Sequence, residues 1–231
     1  MNIIYMSRRQ PPLSGSEPTF TNKYWGTSIG IGNNNCYAYA VGDYEKYRHQ
    51  KSVPGDRSGR SRWYHSYTNC KKLPQRVVSD NPKKIYVVKG NTRCKKGYYK
   101  VMMFVTGKKN ASPFNNGDFH FYKQHGLVEY RPKIGDTKTS IAKFFKVSTR
   151  KIPTVVVGKL MKIRVNVFSH KRGWATGPLL KDAKGQVIKD PRKANKNYGS
   201  LNYNTYCSSF CVKNKGINVG KTRANIGKKS V

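Results

Sequence analysis

The sequence predicts an α+β fold: a mixed or antiparallel sheet, an N-terminal helix carrying Cys36, and a small strand–helix–strand insert. Three observations predict it. Runs of β-branched and aromatic residues recur at 84–88, 98–105, 118–123 and 203–212. Helical patterning is confined to short stretches near 36–41 and 140–145. Turn formers are dense, with 21 Gly and 11 Pro in 231 residues, which keeps the elements short.

Residues 1–23 are polar, with Pro11-Pro12, Ser14-Gly15-Ser16 and Pro18. They read as an extended arm, ordered only where it lies on a neighbour. Gly30-Ile31-Gly32 reads as a turn. Asn33-Asn34-Asn35 can cap a helix that begins near Cys36 and ends about Gly42. Val53-Pro54-Gly55-Asp56 and Ser58-Gly59 form a loop. Lys84–Val88, Tyr98–Val105 and Asp118–Lys123 are strands, and the last two pair antiparallel in mid-sheet, linked by 106–117 with a turn at Asn115-Asn116-Gly117. Asp182–Pro191 is hairpin-like, and Tyr203–Val212 is a final aromatic strand in which Cys207 and Cys211 pack or, in an oxidised particle, pair with each other. From Gly216 onward the chain is rich in Lys, Asn and Gly, and reads as disordered or draped over an acidic partner. The units are an arm (1–23), a core (24–127 with 168–215), an insert (128–167) and a basic tail (216–231).

The charge bounds the function. Lys and Arg number 46 against 10 Asp and Glu, a formal net charge of +36. A body with that charge repels itself and needs a partner that supplies anions. A free-standing metabolic enzyme is a poor fit. Sixteen Tyr and nine Phe supply the apolar area that an overall hydrophobic content of 36 % would otherwise lack. No apolar run approaches the ~20 residues that span a bilayer, and the first residues lack the apolar stretch of a signal peptide.

The five cysteines, Cys36, Cys70, Cys94, Cys207 and Cys211, are odd in number and scattered. They do not read as a secreted disulfide framework, and the expected site of synthesis is a reducing cytosol. The histidines (His49, His65, His120, His125 and His170) form no His-x-x-x-His pair, so neither a zinc site nor any other cofactor is expected. The Walker and Gly-x-Gly-x-x-Gly phosphate loops are absent. Basic and aromatic residues interleave at Arg57–Tyr64 and Lys95–Lys100, as on surfaces that stack single-stranded nucleic acid. Without a recognition signature, such contact would be to phosphate and independent of sequence.

Two stretches resemble known families. Val128–Val165 contains Gly135-Asp136-Thr137, Ser140-Ile141-Ala142-Lys143-Phe144-Phe145 and Val157-Gly158-Lys159-Leu160-Met161-Lys162-Ile163. These are similar to the opening turn, first helix and closing strand of a LysM module, with the second helix shortened to Thr149–Thr154. Asp136 or Thr137 can cap the helix, and Ile141, Ala142, Phe144 and Phe145 form its apolar stripe. The resemblance implies affinity for N-acetylglucosamine polymers. Asn34-Asn35-Cys36-Tyr37-Ala38-Tyr39-Ala40, with Asp118-Phe119-His120-Phe121-Tyr122 downstream, is similar to NlpC/P60-type and other papain-like cysteine hydrolases. That resemblance implies Cys36 as nucleophile at a helix N-terminus, His120 as its base, and His170 orienting His120.

Three functions are open. The first is a non-enzymatic structural protein whose extreme charge, arm and basic tail resemble a minor capsid (cement) protein of a large icosahedral DNA virus. It would lie on the inner face of the virion capsid and bind capsid proteins and acidic surfaces or genome. The second is a cysteine amidase or peptidase acting on cell-wall material. The third is a sequence-independent nucleic-acid packaging protein.

Overall fold

The computed structural model describes residues 10–47, 51–60, 70–107 and 117–220. His49, His65, the residues of the 115–117 turn before Gly117, and the tail from 221 lie outside them. The strands are β1 (Thr19–Phe20), β2 (Ile85–Val88), β3 (Tyr98–Val105), β4 (Phe119–Tyr130), β5 (Met161–Lys171), β6 (Pro178–Leu179) and β7 (Thr205–Lys213). The helices are α1 (Ser28–Asn33), α2 (Cys36–Val41), α3 (Leu73–Asp80) and α4 (Lys138–Phe145). The fold is α+β, built on one curled sheet of order β2-β7-β3-β4-β5-β6, antiparallel along that path.

β4 organises the sheet. Its first half pairs with β3, from Phe119↔Val105 to Lys123↔Val101. Its second half runs past the end of β3, and there β1 takes the vacated edge in parallel, Phe20 opposite Val128. On its other side β5 runs alongside from Tyr122 to Tyr130, with a register shift between His125 and Leu127 where Gly126 stands. β4 and β5 pass without a break through positions 127/128 and 167/168. The connection between them holds α4 and a 3-10 turn at Thr149–Lys151. Thr137 caps α4 and forms a capping box with Ser140.

The pleat sorts side chains to two faces. Phe119 and Phe121 of β4, Val101, Met103 and Val105 of β3, and Phe210 and Val212 of β7 pack under α2 and α3. Met102, Phe104, Tyr122 and Phe168 point the other way and meet Ile188 and Tyr203 from the long loop after β6. A third cluster, with Val128, Ile141, Phe145, Ile163 and Val165, fills the space between α4 and the outer halves of β4 and β5.

Five expectations need correction. Gly30-Ile31-Gly32 lies within α1, which Thr27 caps through Gly30 N–H, so a local cap overrides two helix-weakening glycines. The described part of the arm lies on the chain's own sheet. Gln10 donates to the carbonyls of Asn166 and Lys189, Ser14 Oγ to that of Tyr98, and the Pro11 carbonyl accepts from Gln124 and Asn166. The start of the tail is docked too: Val219 is fully buried and its N–H donates to Asp43.

The last two corrections concern the cysteines. They do form a framework, Cys70–Cys207 and Cys94–Cys211, leaving Cys36 free. Cys207 and Cys211 do not pair with each other. Residues four apart on an extended strand lie ~13 Å apart, about twice what a disulfide tolerates. The bulge opposite Met103/Phe104 also turns Cys207 to the α2 face, while Cys211 packs with Cys94 and Tyr98 on the other.

Each bridge closes a long loop, 137 and 117 residues, and both converge on β7. Reduction should therefore be costly. A C94A/C211A variant is expected to lose roughly 3–5 kcal/mol of unfolding free energy, read from urea midpoints beside the parent protein.

Candidate functional site

Cys36 opens α2 behind the Asn35 cap, whose side chain accepts from Ala38 N–H. That placement brings helix N–H groups toward the thiol, an arrangement that ordinarily lowers a thiol pKa. Burial wins here. Cys36 is 2 % exposed, and desolvation, followed by the nearby Asp118 carboxylate, pushes the thiol up to about 12. Its S–H donates to the Phe119 carbonyl at 3.6 Å, not to an imidazole.

His120 is the next residue along β4, and the pleat turns it away from α2. Its ring stacks on Tyr203 at 4.6 Å and meets Tyr122 edge-on. The structure does bring His120 and His170 together, with His120 Nε2 2.8 Å from His170 Nδ1. His170 Nε2 lies 3.0 Å from the Lys181 carbonyl. A carbonyl only accepts, so Nε2 of His170 carries the proton and its Nδ1 accepts from His120. This chain of donors ends on backbone. Burial keeps both rings neutral, lowering His170 to about 4 and His120 well below its usual range. Of the three residues singled out from sequence, the two histidines are therefore hydrogen-bonded to each other, and Cys36 is bonded to neither.

A second feature was not anticipated. Several lysines are buried without carboxylate partners. Lys123 sits on α2's face of β4, with its ammonium 5.1 Å from the Tyr39 ring centroid, 5.4 Å from Tyr99 and 5.8 Å from Trp25. It donates to the Tyr39 carbonyl. Lys171 donates to the carbonyls of Ile31 and Gly173, Lys100 to Thr92, and Lys196 to Pro191 and Ala194 while lying over Phe104. Burial lowers Lys100, Lys123 and Lys171 to about 8. One sequence signal pointed here: Lys123 shares the parity of Phe119 and Phe121 and so had to face inward.

The carboxylates are committed elsewhere. Eight of the ten accept from a backbone amide: Glu17 from Ser14, Asp43 from Val219, Asp56 from Val53 and Asp80 from Gly55. Asp118 accepts from Phe119, Asp136 from Lys133, Asp182 from Gln186 and Asp190 from Arg192. Two ion pairs join described residues, Lys51–Asp118 and Arg192–Asp190. No group of three or more His, Cys, Asp or Glu suited to a metal occurs among the described residues. Two concavities of ≈ 630 and ≈ 750 Å³ lie beside the arm, both lined by Gln10, Lys146 and Lys189.

Comparison with family models, curated proteins and solved structures found no match to this chain. No helix among the described residues is long and apolar enough to cross a membrane.

Two outcomes follow. Iodoacetamide should leave Cys36 unmodified in native protein at about pH 8 and label it once the chain is unfolded, read by mass spectrometry; fast native labelling would contradict the buried, protonated thiol. The second concerns His125, whose ring lies between the Pro18 carbonyl and Ser169 Oγ. Burial, then Lys123, lowers it to about 3. The unfolded chain protonates this residue near pH 6.5. The contribution of His125 to stability is therefore fully present above about pH 6.5 and falls toward about pH 3, by up to ~1.4 kcal/mol per pH unit, and His120 and His170 add to the same slope. Urea midpoints from about pH 7 down to about 4 check this, and His125→Gln should reduce the slope by about one protonation, leaving that of His120 and His170.

Proposed function

We propose that the protein is a non-enzymatic structural component of a large nucleic-acid-containing assembly, in the manner of a viral minor capsid protein, and that it binds polyanionic surfaces. One observation carries this reading. The chain has 46 cationic side chains, and eight of its ten carboxylates are spent on its own backbone amides. Even with every carboxylate counted, a net charge of +36 is left for a partner to neutralise.

Two further features support it. The two disulfides suit a protein that must persist outside a reducing cytosol. The cysteine hydrolase reading needs a thiolate beside a base, whereas Cys36 is protonated against a carbonyl and His120 donates to His170. Among polyanions we favour nucleic acid bound through phosphate, because such contact needs positive charge and no recognition signature.

Fluorescence anisotropy with a labelled DNA duplex of mixed sequence tests this. Log affinity should fall linearly with log salt, by about 0.9 per phosphate neutralised, and change little when the sequence is scrambled. A slope near zero would sink the reading.

A further inference from the structure

The two concavities beside the arm adjoin, sharing Gln10, Lys146 and Lys189, and are treated together as a groove. Four segments distant in sequence build it: the arm from Gln10 to Glu17, the bulged middle of β4 and β5, the end of α4 with the following 3-10 turn, and the loop 182–195. Its cations are Lys146, Lys151, Arg164, Lys184, Lys189 and Lys193. Each half is as large as a site that takes a drug-sized ligand.

The carboxylates in the lining form no ion pair with these cations among the described residues. Glu17 accepts from the amides of Ser14 and Gly15. Asp182 accepts from those of Lys184, Gln186 and Asn195. Asp190 pairs with Arg192. No ion pair among the described residues reaches Lys146, Lys151 or Lys189. These three ammonium groups converge closely enough that Lys151 and Lys146 add to the effect of burial in lowering Lys189 to about 8.

Backbone conformation supplies an independent pointer. Lys146, the C-cap of α4, has φ 49 and ψ 52, and is the one non-glycine described residue with positive φ. Glycine ordinarily holds that position, and an L side chain there is strained. A lysine standing where glycine is ordinarily found, lining both concavities, is the kind of strain that clusters at binding sites.

We infer that this groove is a phosphodiester-binding site, in which Lys146, Lys151, Arg164 and Lys189 hold the phosphate backbone of a nucleic acid without contacting its bases. The inference rests on the polyanion reading above and gives it a location. Two features select the ligand class. No aromatic side chain lines the groove among the described residues, so bases have nothing to stack on. Lysine outnumbers arginine five to one among its cations, so the contact is by point charge, as lysine makes with phosphate, and carries no bidentate geometry that would read a base.

The test uses the full chain and the same labelled duplex. The variant K146G/K151Q/K189Q removes three groove charges, and K83Q/K96Q/K213Q removes three exposed charges from the β2–β7–β3 end of the sheet. The groove variant should lower the salt slope by about 2.7, three contacts at about 0.9 each, and the control by less than one contact. K146G alone should keep or raise the thermal midpoint, because glycine adopts φ +49 freely. If it does not, K146N preserves the left-handed cap and takes its place.

Equal losses in the two triple variants, or none in the groove variant, would overturn the groove while leaving the polyanion reading intact. Absence of binding by the parent protein would instead remove the reading beneath it. Polyglutamate of matched charge competing as well as unlabelled duplex would overturn the phosphate assignment, as would anionic vesicles doing so.

Discussion

The rest of the structure depends on holding cations inside a body that has few anions to give them. Ionised groups are rarely buried unless paired, and ten carboxylates cannot pair with 46 bases. The protein uses backbone carbonyls and aromatic faces instead. Lys123 in its ring of Trp25, Tyr39 and Tyr99 is the clearest case, and Lys196 over Phe104 with two carbonyls is another. An ammonium held this way is stabilised by ring quadrupoles and carbonyl dipoles. The tyrosine-rich composition thus does two jobs: it supplies apolar area and it hosts charge. Most of the carboxylates act as staples that satisfy loop amides, some far apart in sequence, as Asp182 does for Asn195 and Asp43 for Val219.

That economy explains why the covalent links fall where they do. The sheet closes through β7, the last strand in sequence, which lies between β2 and β3. A chain that repels itself must bring this strand back over more than a hundred residues. Both disulfides end on β7, one on each face, and each cuts the conformational freedom the unfolded chain would otherwise regain. The arm completes the other end of the sheet, with β1 covering the edge of β4 that β3 leaves open.

The Cys36, His120 and His170 constellation shows how one strand can hold enzyme-like residues without assembling a site. Cys36 has the helix N-terminal position of a nucleophile, but its thiol is buried against a carbonyl. His120 is a single pleat away from the two phenylalanines that pack against α2, and that pleat is enough to commit it to the opposite face. The histidine pair then serves to satisfy buried polar atoms, with its last proton delivered to the Lys181 carbonyl.

Local rules determined much of this protein. The Asn35-capped helix ending at Gly42, the aromatic strand Tyr98–Val105, the capped helix after Thr137 and the final strand ending in Phe210-Cys211-Val212 were legible because capping, alternation and turn chemistry act over a few residues. The α+β class and the unbalanced charge were legible for the same reason, since composition needs no geometry. Only the tertiary structure decided what depends on chain crossings. It paired Cys70 with Cys207 and Cys94 with Cys211, laid Gln10–Phe20 on its own sheet, and extended β4 to Tyr130 where its polar residues gave little strand signal. It also decided the candidate sites. Whether His120 meets Cys36 or His170 turns on the direction of one side chain from the pleat. Whether Lys146, Lys151 and Lys189 form one groove turns on the docking of four segments whose contacts are non-local, and no spacing along the chain encodes them.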